Sequence, residues 1–274
     1  MSYKDILVAV EPSQLSPNVT QCAAEMAGEL GAHLTALYLG SDPLFGFAES
    51  QLPADLLETH RGNLALLERR ERDRFEKACR LSGVIAEWRS TGQGHLSALV
   101  LSARYADLVV LSARTSKESG LIAHHYRDGV VLAAGRPALM LPESCTWAHG
   151  FGRIMVAWES SREASRAVHD AMPLLQMARE VTVMEITDGD VELEREPGAD
   201  IAGHLARHGV SVQATYQTRN ENDVGAEVLS ASVDCGADLI VAGAYGHSRL
   251  REYALGGVTR HLMAHSKIPL LLSH

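Results

Sequence analysis

Four glycines form the segment of this chain that is best suited to hold an anion. Gly243 and Gly246 follow a short apolar run, and nine residues separate Gly246 from the pair Gly256 and Gly257. The pair stands where the last helix of the chain is predicted to begin. Free backbone N–H groups and the helix dipole favour phosphate oxygens at such a position, and glycine allows a ligand to approach the backbone.

Polar side chains in the same segment could add contacts to a bound phosphate. The hydroxyl of Thr259 could bind a phosphate oxygen or a divalent cation. His247, Ser248 and Arg249 lie on the loop between the glycines and could reach the same anion. The alternative for His247 and Arg249 is a solvated position on that loop.

The chain contains two copies of one pattern, and the glycine segment belongs to the second copy. In each copy, short runs rich in Val, Ile and Leu alternate with amphipathic stretches, as in parallel strands joined by helical crossovers. The matching segments are 6–11 with 154–159, 106–110 with 237–241, and 136–141 with 267–272.

The repeat predicts an α/β fold of two tandem doubly wound domains, each with a five-stranded parallel sheet flanked by helices. The domains are expected over 1–144 and 152–274. Since ligands bind beyond the carboxyl ends of strands in such sheets, the segments after the strands carry the chemistry. The predicted strands are 5–10, 33–39, 84–90, 107–112, 137–141, 153–158, 180–186, 210–216, 238–243 and 268–273.

The segment from Gly243 to Thr259 resembles the nucleotide-binding signature of the universal stress protein family, Gly-x2-Gly-x9-Gly-(Ser/Thr). The resemblance extends over nearly the whole chain as two tandem copies. It implies that the second domain binds ATP or another adenine nucleotide, with Mg²⁺ as a candidate companion, and has a regulatory role in stress adaptation. The implied binding residues are Ala157, Trp158, Glu159, Gly243, Gly246, His247, Ser248, Arg249, Gly256, Gly257, Val258 and Thr259.

Two positions depart from the family pattern. Glu159 stands where the family usually has an Asp that contacts the nucleoside, and Gly257 stands at the Ser/Thr position. Each departure removes or lengthens a side-chain contact, whereas the backbone cradle is retained. A plain loop carboxylate is the alternative for Glu159.

The first copy lacks the glycine motif. Ser112 and Thr115 stand at the first two glycine positions, and His125 and Tyr126 replace the glycine pair. Pro12 interrupts the loop after the first strand. Bulky side chains should fill the phosphate space, so the first domain is predicted to keep the fold but not the nucleotide site.

Two other functions stay open from the sequence. One is a slow ATPase or nucleotide hydrolase that uses the same site, although the chain has no Walker A motif and no nucleophile elbow. The other is a nucleotide-free pairing scaffold. The apolar strands 138–141 and 268–272 are edge candidates that could pair the two domains as a pseudo-dimer or join two chains as a homodimer.

Composition narrows the classes of partner and the compartment. The formal net charge of −9 argues against a protein that binds nucleic acid through phosphate neutralisation. No apolar run reaches the length of a membrane span. The chain is therefore expected to be cytoplasmic, without nucleic-acid or membrane partners.

Neither the cysteines nor the histidines match a metal pattern. Four widely spaced cysteines without a Cys-x-x-Cys pair are expected to be small core residues, not a zinc site or a disulfide framework. The pairs His204/His208 and His261/His265 have helical spacing, but no third ligand is evident beside either. No metal site and no catalytic residue are predicted.

Overall fold

The computed structural model describes most of the chain as two compact units. The first unit comprises Tyr3–Ala134 with Glu143–Trp147, and the second comprises Gly135–Pro142 and the chain beyond residue 148. The described residues are 2–11, 16–40, 53–91, 95–113, 120–147, 149–187, 198–219, 223–246 and 257–274.

The first unit contains a parallel sheet in the order β3-β2-β1-β4. In register, Ile6 of β1 lies beside Leu34 of β2 and Leu108 of β4. The elements are β1 (Asp5–Val10), α1 (Ser16–Leu30), β2 (His33–Tyr38), α2 (Ala54–Ser82), β3 (Ala86–Ser90), α3 (His95–Ala103), β4 (Leu108–Ser112) and α4 (Gly120–Ala133).

The second unit repeats this arrangement with five parallel strands in the order β10-β9-β6-β7-β8. A further strand, β5, pairs antiparallel with β10. The elements are β5 (Ala138–Leu141), β6 (Arg153–Trp158), α5 (Arg162–Met177), β7 (Glu180–Thr187), α6 (Ala199–Arg207), β8 (Val212–Thr218), α7 (Val224–Asp234), β9 (Leu239–Gly243), α8 (Gly257–His265) and β10 (Leu270–Ser273).

The predicted α/β architecture of two repeated domains with parallel sheets and flanking helices is therefore confirmed. The pairing of β5 was not resolved from the sequence. Leu139 lies opposite Leu271, and all four residues of β5 are buried. An apolar edge such as that of β10 is stabilised by a partner strand, and β5 supplies it in the second unit.

Burial on both faces holds for the central strands but not for the outermost ones. β1, β4, β6 and β9 are largely buried, whereas β3 is mostly exposed and β8 is half-exposed. The reason is position, because β3 and β8 lie at the ends of their strand orders and helices cover them less completely.

The strand order reverses beside the first strand of each copy. In the second unit, the chain runs from β6 outward to β7 and β8 and then returns to β9 on the other side of β6. The loops that leave β6 and β9 consequently diverge to opposite faces and open a crevice between the ends of these strands. The same reversal occurs between β1 and β4.

In the described part of the chain, no helix combines the length and apolar character that a membrane span requires.

Candidate functional site

A cavity of about 280 Å³ lies at the carboxyl ends of β6, β7 and β9 in the second unit. This is the crevice that the strand order predicts, and its volume is close to the lower end of the range for small-molecule sites, about 300 to 1,000 Å³. Its lining residues are Ala157, Trp158, Glu159, Met184, Ile186, Val224, Val228, Ala242, Gly243, Tyr245, Gly246, Gly257, Val258, Thr259 and Leu262.

The loop after β6 holds Glu159 at the cavity. Ser160 adopts a left-handed backbone conformation with φ 53°, which turns the chain sharply into α5. Ser161 caps that helix, since its Oγ accepts a hydrogen bond from the N–H of Ala164 at 3.0 Å. The same hydroxyl donates to Oε1 of Glu159 at 2.9 Å. The helix cap therefore also orients the carboxylate.

The loop after β9 is tied to the start of α8. Tyr245 is left-handed with φ 60°, and its N–H donates to Oγ1 of Thr259 at 3.3 Å. Thr259 is buried. The sequence suggested phosphate or a cation as the partner of this hydroxyl, whereas in the structure its oxygen accepts an internal bond. That bond fixes the distance between the strand end and the helix start.

The glycines of the motif serve different purposes. A Cβ on Gly243 would lie 2.5 Å from the backbone nitrogen of Ala164, so this glycine allows α5 to pack against the end of β9. Gly243 also lines the cavity, and its expected role in admitting a ligand stays a prediction. A Cβ on Gly257 would meet none of the described residues within 4 Å, and Gly257 borders the cavity at the start of α8. This second glycine fits the predicted cradle.

Two carboxylates border the remaining glycine of the motif. A Cβ on Gly246 would lie 3.1 Å from Oε2 of Glu163 and 3.2 Å from Oε1 of Glu159. Glu163 is buried in the first turn of α5, and Arg162 donates to it at 2.7 Å and 2.9 Å. Burial favours the neutral acid, but hydrogen bonds from Arg162 and from the backbone, with the charges of Arg162 and His274, outweigh it and hold the pKa of Glu163 below its ordinary value.

Most of the residues expected from the sequence lie around this cavity. They come from the end of β6, the end of β9 with the loop beyond it, and the start of α8. Gly256 and the loop residues His247, Ser248 and Arg249 lie outside the described residues. The cavity-lining residues among those expected are Ala157, Trp158, Glu159, Gly243, Gly246, Gly257, Val258 and Thr259.

The apolar wall of the cavity was not predicted from the sequence. Met184 and Ile186 come from the carboxyl end of β7, and Val224 and Val228 come from one face of α7. Leu262 of α8 completes the wall. The alternation of Met184 and Ile186 at the end of the strand beside β6 was the available signal, because side chains two apart point to one face of a sheet.

Among the residues that the structure describes, side chains of the first unit itself enter its equivalent crevice. The repeat aligns Tyr126 with Gly257 and Arg127 with Val258. Arg127 is buried, and its Nη1 donates to the carbonyl of Ala113 directly after β4. Burial raises the pKa of Glu11, the counterpart of Glu159, although the charge of Arg127 opposes the rise. Pro12, Thr115 and the side chain of His125 lie outside the described residues.

Burial also sets the ionisation of the aromatic residue in this crevice. Burial of Tyr126 raises the pKa of its hydroxyl well above the ordinary value, and the negative charge of Glu11 adds a smaller rise. The hydroxyl of Tyr126 is buried without a hydrogen-bond partner. The first unit thus has an internal Glu–Tyr–Arg group at the place where the second unit has a cavity.

In the structure, each histidine pair has a further neighbour that could not be predicted from the sequence. His204 of α6 lies between His208 and His169 of α5, with ring centroids 4.6 Å and 5.5 Å away. In the other pair, His261 contacts Asp223 at 2.7 Å. Among the described residues, however, no three His, Cys, Asp or Glu side chains are grouped so that they could hold a metal ion.

Comparisons with known proteins agree with this fold. The model of the Universal stress protein family matches residues 2–142 and 150–274. None of the curated proteins matches the chain. A universal stress protein from Archaeoglobus fulgidus DSM 4304 is similar over 98% of this chain and 95% of its own, with 15% identity and a TM-score of 0.77.

Two further solved structures are similar to the chain. A functionally unknown protein from Pseudomonas aeruginosa PAO1 has 14% identity and a TM-score of 0.58, over 99% of this chain and 92% of its own. A universal stress protein in complex with cAMP has 19% identity and a TM-score of 0.36, over 53% of this chain and 100% of its own. For the proteins from Archaeoglobus fulgidus and Pseudomonas aeruginosa, the likeness at these identities concerns the fold.

Proposed function

The chain belongs to the universal stress protein family, and from this premise we propose that its second unit binds ATP or another adenine nucleotide at the cavity between β6 and β9. Occupancy of this site would regulate the protein in stress adaptation. A ligand that binds one conformation of a protein more tightly than another stabilises that conformation and thereby changes the surface offered to partners. The cavity itself, with one apolar wall and one open helix start, is the observation that carries the proposal.

The apolar wall suits a planar base. Met184 and Ile186 on one side and Val228 with Leu262 on the other would contact the two faces of an adenine ring. Burial of an apolar surface supplies the largest sequence-independent part of the affinity. A polar ligand of similar size, such as a sugar phosphate, would leave these side chains without a suitable partner.

Glu159 suits the ribose. Its carboxylate lies at the cavity, and Ser161 holds Oε1 in place from the side of α5. A carboxylate accepts hydrogen bonds from vicinal hydroxyl groups, and bonds to a charged acceptor contribute more than neutral ones. The proposed role of Glu159 is therefore to fix the sugar between the base and the phosphates.

The start of α8 suits the phosphates. Gly257 faces open space, and the first N–H groups of the helix have no partner within the helix. The carboxylates of Glu159 and Glu163 would repel a phosphate beside Gly246, so the phosphates would extend toward Gly257 instead. Mg²⁺ bound to the phosphates would reduce this repulsion.

The first test identifies what the purified protein carries. Denaturation should release an adenine compound at about one per chain, and titration of ligand-free protein with ATP should give one site. Two nucleotides per chain would contradict the assignment to the second unit alone. No released nucleotide and no heat of binding with ATP would favour the pairing scaffold.

The second test uses equivalent carboxylates of the two units. Glu159→Gln removes the charged acceptor and should weaken ATP binding roughly ten-fold, because a hydrogen bond to a charged group contributes on the order of 1.5–3 kcal/mol. Glu11→Gln makes the same change in the first unit and should leave the affinity unchanged. Equal effects of the two substitutions in a calorimetric titration would contradict the proposed site.

A further inference from the structure

A short irregular segment of the first unit, residues 143–147, lies along helix α1. Nδ2 of Asn18 donates to the carbonyl of Glu143 at 2.5 Å, and Nε1 of Trp147 donates to Oε2 of Glu29 at 2.6 Å. These two bonds join the ends of the segment to the two ends of the helix. We call residues 143–147 the strap.

Two thiols meet in the middle of the strap. Sγ of Cys22 lies 3.5 Å from Sγ of Cys145, although 123 positions separate them in the chain. Cys22 is 1% exposed and Cys145 is 8% exposed. This pair could not be predicted from the sequence, because the spacing of the four cysteines matches no known motif. All four cysteines are thiols rather than disulfides.

The surroundings favour a bond between these sulfurs. A disulfide requires about 2.05 Å between them, so the sulfurs must approach by roughly 1.5 Å. Cys22 is held in α1, whereas Cys145 lies in a segment without helix or strand that can adjust. Sγ of Cys235 donates to the carbonyl of Ser232 at 3.5 Å, and Cys79 is buried in α2, so these two cysteines serve as internal controls.

We propose that Cys22 and Cys145 form a redox-active dithiol that hydroperoxides convert into an intramolecular disulfide. In the first step, the sulfur of Cys145 attacks one oxygen of hydrogen peroxide, the O–O bond breaks, and water leaves after proton transfer. Cys145 is then a sulfenic acid. In the second step, the sulfur of Cys22 attacks that sulfur, the S–O bond breaks, and a second water leaves. Two thiols are oxidised and one peroxide is reduced to two waters.

The order of the two cysteines follows from their surroundings. Cys145 is the more exposed, so peroxide reaches it first. The hydrogen bond with Cys145 and burial, with the charges of Cys145 and Glu25, raise the pKa of Cys22 far above that of a free thiol. A thiol that stays protonated reacts poorly with peroxide. Cys22 is therefore assigned the second step, in which its proton passes to the departing hydroxyl group of the sulfenic acid as its sulfur attacks Cys145.

The disulfide would convert the strap from a hydrogen-bonded segment into a covalent one. Closing so long a loop restricts the unfolded chain, and the first unit should resist unfolding more strongly after oxidation. The expected rise in Tm is roughly 5–15 °C on the scale of a unit of this size. Reduction by a dithiol would reverse it.

The experiment treats the folded full-length protein with hydrogen peroxide, then denatures it in an alkylating reagent. Mass spectrometry should show that two of the four thiols escape alkylation and that one peptide pair is linked through Cys22 and Cys145. Cys235→Ser should give the same link and the same rise in Tm. Cys22→Ser should give no link and should leave Cys145 as a sulfenic acid that a dimedone probe traps.

Three results would overturn the proposal. The first is full alkylation of all four thiols after peroxide treatment of the folded wild-type protein. The second is a disulfide that involves Cys79 or Cys235 or that joins two chains. The third is conversion of Cys145 to a sulfinic acid while Cys22 remains a free thiol. The wild-type mapping decides among these even where a serine variant fails to fold.

Discussion

The two units share a strand order but differ in the side chains that border the crevice. The difference lies at the start of one helix. In the second unit, Gly257 and Val258 begin α8 and border an open cavity. At the equivalent positions of the first unit, Tyr126 and Arg127 turn inward, and Arg127 bonds to the carbonyl that follows β4. A shared topology therefore provides a crevice in both units, and side-chain volume decides whether it stays open.

Charge differs between the units as much as volume does. In the first unit, burial raises the pKa of Glu11 above its ordinary value. In the second unit, Glu159 is exposed at the cavity, and Arg162 holds the pKa of the neighbouring Glu163 below its ordinary value. The first crevice thus resembles a protein core in which burial disfavours the charged form of Glu11, whereas the second is an open site bordered by two carboxylates.

The largest expected effect is on ATP affinity, when the tyrosine of the first unit is placed at the equivalent position of the second. Gly257→Tyr places the side chain found at position 126 into the cavity, and ATP affinity should fall on the order of 100-fold, about 2.7 kcal/mol. Gly257→Ala is the matched control, because a Cβ at this position meets none of the residues that the structure describes within 4 Å. Calorimetric titration measures both, and unchanged affinity of the Tyr variant would mean that the ligand binds elsewhere.

A smaller effect is expected at the glycine that packs against α5. Gly243→Ala brings a Cβ within 2.5 Å of the Ala164 nitrogen, and backbone cannot move aside as a flexible side chain can. The free energy of unfolding should decrease by about 1–3 kcal/mol, the usual cost of overpacking. Urea titration measures the loss. Gly257→Ala should cause little loss of stability. Equal stabilities of the two variants would contradict the different roles of Gly243 and Gly257.

The smallest expected effect is on the pH dependence of stability, which should have opposite signs in the two units. The lowered pKa of Glu163 stabilises the fold above the ordinary carboxyl pKa, and this stabilisation is lost as the pH falls through the folded-state value. The raised pKa of Glu11 stabilises the fold while the group is protonated, and this stabilisation is lost as the pH rises through that folded-state value.

Two variants separate these contributions. Glu163→Gln should lower stability at neutral pH and flatten the fall on the acid side. Glu11→Gln resembles the protonated acid, so it should not lower stability at neutral pH and should flatten the fall on the rising side. Urea midpoints measured from about pH 2 to pH 8 cover both transitions and give both slopes, and slopes of the same sign would contradict the contrast between the two crevices.

Much of the fold could be predicted from the sequence because its signals are local. Runs of Val, Ile and Leu mark the strands, and the repeat of 106–110 in 237–241 marks two copies. The glycines at the end of β9 and the start of α8 were visible for the same reason. The antiparallel pairing of β5 with β10 was left open, because an apolar strand identifies an edge but not which strand will cover it.

The site was predicted in part, and the misses have a common cause. The expected residues of β6, β9 and α8 that the structure describes all border the cavity, since the ends of neighbouring parallel strands meet at one edge of the sheet. The wall from β7 and α7 was missed, because Met184 and Val228 look like ordinary core residues in the sequence. The packing role of Gly243 was also missed, since the approach of α5 to β9 is invisible along the chain.

The sequence by itself determined the two α/β copies, the place of the crevices and the copy that carries the glycine pair. These properties depend on residue type and on periods of a few residues, which short-range backbone geometry converts directly into strands, helices and turns. Only the tertiary structure decided that Thr259 accepts a bond from Tyr245 and that Cys22 meets Cys145. Such contacts join distant parts of the chain, and they depend on register and on the direction of each side chain, which no local pattern encodes.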